Sequence, residues 1–237
     1  MHVDRRWREK VEALERAGLE YVSRDRLAEA VGRLQACGDE QRPATGDRWQ
    51  ELAILRNEVA ACTRCAALAC SRTQTVFSDG TPAAELCFVG EAPGYEEDRQ
   101  GLPFVGKAGQ LLTQIIEACR LKRQDVYICN LLKCRPPENR NPMPDEIANC
   151  LPFLERQLSL IQPKVLVALG KYPTAVLLGL SPEKIAITRM RGQVHEYRGI
   201  PLMITLHPAY LLRNPEAKKD VWRDMIQVMR MIGRPID

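Results

Sequence analysis

Nowhere in the chain do 18 apolar residues run together, so the sequence offers no membrane-spanning helix. The first residues, Met1-His2-Val3-Asp4-Arg5-Arg6-Trp7, are charged and lack the apolar centre of a secretory signal. Without an export signal, the nine cysteines read as thiols or metal ligands rather than disulfides, and the expected location is cytoplasmic. There is no internal repeat. Charge of one sign is not in large excess either: a formal +4 points to a polyanionic partner only weakly. What is present suits one sizeable core with an appendage, since 237 residues exceed the usual ~100–200 of a single domain.

The periodicity divides the chain in two. Residues 1–36 read as helix, with Val11, Leu14, Leu19, Val22, Leu27, Val31 and Leu34 set among charges, and Cys37 to Asp47 is a polar linker. The expected division is a helical appendage with its linker over 1–47 and a main domain over 48–237. In the main domain Leu52, Leu55 and Val59 give a helix. Apolar runs at 86–90, 126–132, 164–169 and about 197–206 then alternate with helical patterns at 107–120, 143–160, 171–179 and 215–232. Strands alternating with helices predict an α/β fold with a parallel sheet covered on both faces.

Three loops follow strands and carry unusual polar residues: 90–106, 129–141 and 207–214. In an open parallel sheet the carboxyl ends of the strands share one edge, where ligands bind, so Glu91, Asn130, Asn139 and His207 are candidates for a single site. Each has a plainer explanation as a cap or turn residue. The cysteines are more specific. Cys62 and Cys65 form a C-x2-C pair, and Cys134 and Cys150 follow singly. That uneven spacing suits a four-thiolate site and leans toward iron–sulfur rather than zinc, with Cys70 the rival to Cys65. Cys87, Cys119 and Cys129 fall at buried-looking positions where thiols pack as small apolar groups.

Four ordered stretches then carry a resemblance: Gly90-Glu91-Ala92-Pro93-Gly94, Gly101-Leu102-Pro103-Phe104-Val105-Gly106-Lys107-Ala108-Gly109, Asn130 through Pro137 with Asn139-Arg140, and His207-Pro208-Ala209. Together with the cysteine frame they resemble the family 4 uracil-DNA glycosylases of bacteria and archaea, over about residues 52–232. The resemblance implies a three-layer αβα sandwich around a four-stranded parallel sheet. It also implies a structural [4Fe–4S] cluster on Cys62, Cys65, Cys134 and Cys150, and hydrolytic removal of uracil from single- or double-stranded DNA by a monomer.

It implies roles as well. A glycosylase must take its target base out of the stack. Gly90 and Ala92 would line the base pocket and Phe104 would stack on the base. Asn130 would read uracil by donating to O4 and accepting from N3–H, a pair that cytosine reverses. His207 would support negative charge growing on O2. Glu91, or else Glu97, would hold or deprotonate the attacking water, with Asn139 orienting water or His207. Ala92 stands where other uracil glycosylases carry their water-activating Asp, and Gly94 where they carry a thymine-excluding Tyr. Lys107, Lys133, Arg135 and Arg140 would meet phosphates, and Leu211 or Leu212 would wedge into the gap left by the base.

Rival functions carry their own signatures. A covalent uracil-DNA binder of a related type uses a His between the second strand and the last cluster ligand, and residues 131–149 hold none. A non-catalytic cluster protein, such as a polymerase partner, would not need Glu91, Asn130 and His207 together. An electron carrier would show a ferredoxin spacing, which is missing.

Overall fold

A computed structural model describes residues 45–236. The helices expected over 1–36 and most of the linker lie outside the described residues. The first described helix, α1, spans Thr45–Ala60 and so opens inside the stretch read as linker.

The apolar runs become the centre of a six-stranded sheet. Its strands are β1 (Asp79–Gly80), β2 (Leu86–Gly90), β3 (Tyr127–Asn130), β4 (Val165–Leu169), β5 (Val194–Tyr197) and β6 (Ile200–Thr205), in the order β1-β3-β2-β4-β6-β5. The four expected strands, β3-β2-β4-β6, are mutually parallel. The structure adds two antiparallel edges: β1 on β3, and β5 folded back on β6 through Arg198-Gly199. A mixed sheet thus surrounds the parallel core. Both edge strands are short and half-exposed, which limits the open hydrogen-bonding edge.

Alternate residues of each central strand face opposite layers. Leu86, Phe88, Val165, Val167 and Met203 pack with α4 (Lys107–Ala118) and α9 (Lys218–Met231). Cys87, Val89, Leu166, Ala168 and Leu202 pack on the other side with α1 and with α5 (Pro144–Ile161) and α6 (Lys171–Leu178). This produces the expected αβα layers. The loops read from sequence are partly helical: α2 (Ala66–Ser71) follows the cysteine pair, α3 (Tyr95–Gln100) lies within 90–106, and α8 (Pro208–Arg213) follows His207; a short α7 (Ile187–Met190) precedes β5. Among the described residues no helix is long and apolar enough to cross a membrane.

The chain leaves β2 toward β3 on one side, and β4 joins β2 on the other. Strand order reverses there, and the crevice beyond the strand ends is where an open α/β sheet accepts a ligand.

Candidate functional site

Gly90 ends β2 opposite Asn130, which ends β3. The pairing continues past the strands, with Leu131 N–H donating to Gly90 O at 2.9 Å and Leu132 N–H to Glu91 O at 3.0 Å. A Cβ on Gly90 would stand 2.3 Å from Asn130 Oδ1 and 2.4 Å from Phe104 Cζ. The amide and the ring therefore meet above a bare glycine. Asn130 is buried, and its Oδ1 has no hydrogen-bond partner. An orphaned buried acceptor is costly unless a ligand satisfies it.

Phe104 is buried at φ +53°, and its ring lies 5.7 Å from that of His207 at 35°. His207 follows β6 and caps α8, its Nδ1 accepting the Ala209 N–H at 3.1 Å. With Nδ1 used as acceptor, neutral imidazole carries its proton on Nε2. Burial, helped by the Arg213 charge and opposed by Glu97, brings His207 down to about 4, so it stays neutral near pH 7. Gly170, at the end of β4, passes beneath it: a Cβ there would lie 3.1 Å from His207 Cβ.

The two candidate carboxylates differ. Burial pushes Glu91 up to about 7, and its carboxylate has no hydrogen-bond partner among the described residues. Glu97 is fully engaged. One oxygen accepts from Gly94 N–H at 3.1 Å, and the other accepts from Val105 and Gly106 N–H, both at 2.9 Å. It closes the loop around Phe104. Asn139 is exposed, and its Oδ1 accepts from Arg135 Nε at 2.7 Å rather than contacting His207. Ala92 packs toward Leu68, Leu132 and Cys134.

The four expected cysteines converge. Cys62, Cys65, Cys134 and Cys150 line one small cavity with Arg64, Leu68, Arg72 and Asn149, while Cys70 is exposed and outside it. Donors point at three of the sulfurs: Arg72 Nη1 to Cys134 at 3.0 Å, the Lys133 backbone N–H to Cys150 at 3.3 Å, and Asn149 Nδ2 to Cys65 at 3.5 Å. Burial raises the thiols of Cys65, Cys134 and Cys150. No group of three or more His, Cys, Asp or Glu among the described residues is gathered to hold a single metal ion.

Residues 77–226 match the model of the uracil DNA glycosylase superfamily. The chain belongs to that superfamily. It is similar to a type-4 uracil-DNA glycosylase of Thermotoga maritima, 45% identical over 70% of this chain and 86% of the relative. It also resembles those of Sulfurisphaera tokodaii, at 42% over 76% and 84%, and Archaeoglobus fulgidus, at 39% over 75% and 91%.

As a superfamily member the chain holds details that its sequence concealed. Glu97, the second candidate for holding the attacking water, ties two ends of a loop. Lys133 reads as a phosphate contact and is 1% exposed, so it cannot meet a DNA backbone. Arg140 is bound to Glu146 in a two-point ion pair at 2.5 and 2.9 Å. Of the two wedge candidates, Leu211 lies in the core and Leu212 is exposed.

Proposed function

We propose that this protein hydrolyses the N-glycosidic bond of uracil in DNA, leaving an abasic site and starting base excision repair. The observation that carries the reading is the buried, unpartnered Asn130 Oδ1 beside Phe104 and His207. A flipped uracil would give Oδ1 its N3–H and take the Asn130 N–H at O4. Cytosine would leave both groups unpaired, at ~1–3 kcal/mol each. Phe104 would stack on the ring, and Gly90, bare of a side chain, lets the amide and the Phe104 ring approach each other.

As the bond to the sugar breaks, charge gathers on O2. Neutral His207 would donate Nε2–H to it, and being neutral it need not surrender a proton to do so. Glu91 would hold the attacking water. Its raised value means the carboxylate is only half ionised at about pH 7 and more fully so above it. We assign Glu97 to holding the loop, and Asn139 to fixing Arg135 near the DNA.

Four soft sulfurs around one cavity, with N–H donors aimed at three of them, fit a [4Fe–4S] cluster held by Cys62, Cys65, Cys134 and Cys150. Bound there, it would cross-link the segment after α1, the loop after β3, and α5. The reading carries a cytoplasmic monomer acting on single- or double-stranded DNA, with its catalytic domain over 48–237.

The test is a labelled oligonucleotide holding one uracil, treated with alkali after incubation with purified protein. Strand breakage at that base alone is expected, and intact strands under alkali would overturn the proposal.

A further inference from the structure

Tyr95 has no part in the base pocket, yet it stands at its rim. It opens α3, five residues beyond Gly90, and is 51% exposed. Two guanidiniums lie against its ring, Arg135 Cζ at 5.1 Å and Arg99 Cζ at 5.7 Å from the centroid. Arg135 stands five residues beyond Asn130, the partner of Gly90 in the register of β2 and β3. The loops leaving the two pocket strands therefore meet again at Tyr95 and Arg135. Five residues reach no further than ~17 Å, which keeps the pair beside the pocket.

The pair is held in place and carries positive charge. Arg135 Nε donates to Asn139 Oδ1 at 2.7 Å, and its terminal nitrogens meet no acceptor among the described residues. Glu138 and Asn139 are consecutive left-handed residues, at φ +56° and +55°, a backbone that side chains other than glycine adopt at a cost. Of the three acids in α3, Glu97 accepts from the Gly94, Val105 and Gly106 N–H groups and Asp98 from the Thr73 N–H. Glu96 alone of that helix is left to offset Arg99 and Arg135.

A single exposed tyrosine needs no ligand. This one has company: of the eight large apolar side chains exposed among the described residues, Tyr95, Leu102, Met143, Tyr210 and Leu212 all lie on the loops and short helices beyond the strand ends. Aromatic rings beside guanidiniums are how proteins hold single-stranded nucleic acid, the ring stacking on a base and the cations meeting phosphates.

We infer that Tyr95, with Arg99 and Arg135, is a stacking ledge for one of the two bases that flank the uracil, and that it takes this base unpaired, from single-stranded DNA. This rests on the glycosylase reading above and adds to it a substrate preference. In a duplex the neighbouring base is held by its own partner and stack, so the ledge has nothing to grip.

The experiment compares wild type with Tyr95→Phe and Tyr95→Leu on single-stranded oligonucleotides holding one uracil. The base on either side of the uracil is present or replaced by an alkali-stable tetrahydrofuran abasic analogue. The protein concentration giving half-maximal single-turnover excision is read for each. In wild type, loss of one flanking base should raise that concentration about fivefold or more, the lower end of what stacking on an aromatic ring contributes. Tyr95→Phe keeps a ring and should show the same penalty, whereas Tyr95→Leu should show none at that side. With both bases present, Tyr95→Leu should raise the half-maximal concentration more on the single strand than on a duplex. No penalty in wild type at either side, the same penalty in wild type and Tyr95→Leu, or an equal loss for Tyr95→Leu on both DNA forms would each overturn the inference, while excision by wild type would keep the glycosylase reading. Absence of excision by wild type would overturn both.

Discussion

Gly90 and Asn130 are partners in the parallel register of β2 and β3, and the space where Gly90 lacks a side chain is the space beside the Asn130 amide. Gly90→Ala should therefore push the Asn130 amide and the Phe104 ring out of place, because the first atoms its methyl meets are side-chain atoms of these two buried residues. We expect uracil excision to fall at least ~100-fold, with a stability loss of only about 1–3 kcal/mol. Single-turnover kinetics beside a thermal melt checks this. A variant that turns over at the wild-type rate would remove Gly90 from the pocket.

Asn130 and His207 should fail in different ways. Asn130→Asp replaces the amide donor with an acceptor, so uracil excision should drop while cytosine excision rises relative to it. His207→Ala should slow release of every accepted base by ~100-fold, since support at O2 does not depend on the group at C4. Matched uracil and cytosine oligonucleotides under single turnover separate the two. Equal loss on both bases for Asn130→Asp would mean that the amide does not read the base.

Glu91 ties activity to stability. Its carboxyl titrates near 4.5 when unfolded and at about 7 when folded. Between those values the native state holds the extra proton, so this group makes stability fall as pH rises from 4.5 to 7 and stay lowered above. Glu91→Gln should be more stable than wild type above pH 7, by about 1–3 kcal/mol. It should also excise uracil ~100-fold more slowly and lack the rise in rate expected of wild type through about pH 7. Denaturant melts and pH–rate profiles provide the comparison, and a variant both less stable and fully active would exclude the role.

The cage makes a contrast between cysteines. Wild-type protein should be brown and carry about four irons per chain. Cys134→Ser should lose iron first and activity as a result, whereas Cys70→Ser, at an exposed position outside the cavity, should keep both. Iron analysis with the visible spectrum decides, and full iron in Cys134→Ser would displace it from the ligand set.

Leu211 and Leu212 should also part. Leu211→Ala opens a hole in the core and should cost ~2–5 kcal/mol of stability. Leu212→Ala should leave stability alone and slow excision from duplex about tenfold more than from single strands, where no base stack needs wedging. Equal effects on both DNA forms would remove the wedge.

The sequence made the centre of this molecule plain and its margins obscure, for physical reasons. Runs such as Val165-Leu166-Val167-Ala168-Leu169 are apolar on both faces because helices cover both, and nothing else in a chain of this size needs such a pattern. Asp79–Gly80 and Val194–Tyr197 carry no such signal, because an edge strand is defined by the neighbour it pairs with. The site divides in the same way. Asn130 and His207 are candidates on sequence because they stand at or just beyond strand ends. The roles of Glu97 and Lys133 depend on what their side chains reach, Gly94 with Val105 and Gly106 in one case and a carbonyl deep in the fold in the other.

A Cβ on Gly109 would fall 1.9 Å from both the carbonyl carbon and the oxygen of Phe104, so the loop bearing Phe104 rests directly on the first turn of α4. The obstacle is backbone, and no choice of rotamer relieves it. The two positions therefore differ in evolutionary freedom. The ring at 104 can be exchanged for another flat or apolar side chain without disturbing its seat, whereas position 109 is closed to every residue with a side chain while that seat is kept. A descendant of this protein adapting to a different damaged base would change the ring and inherit the glycine.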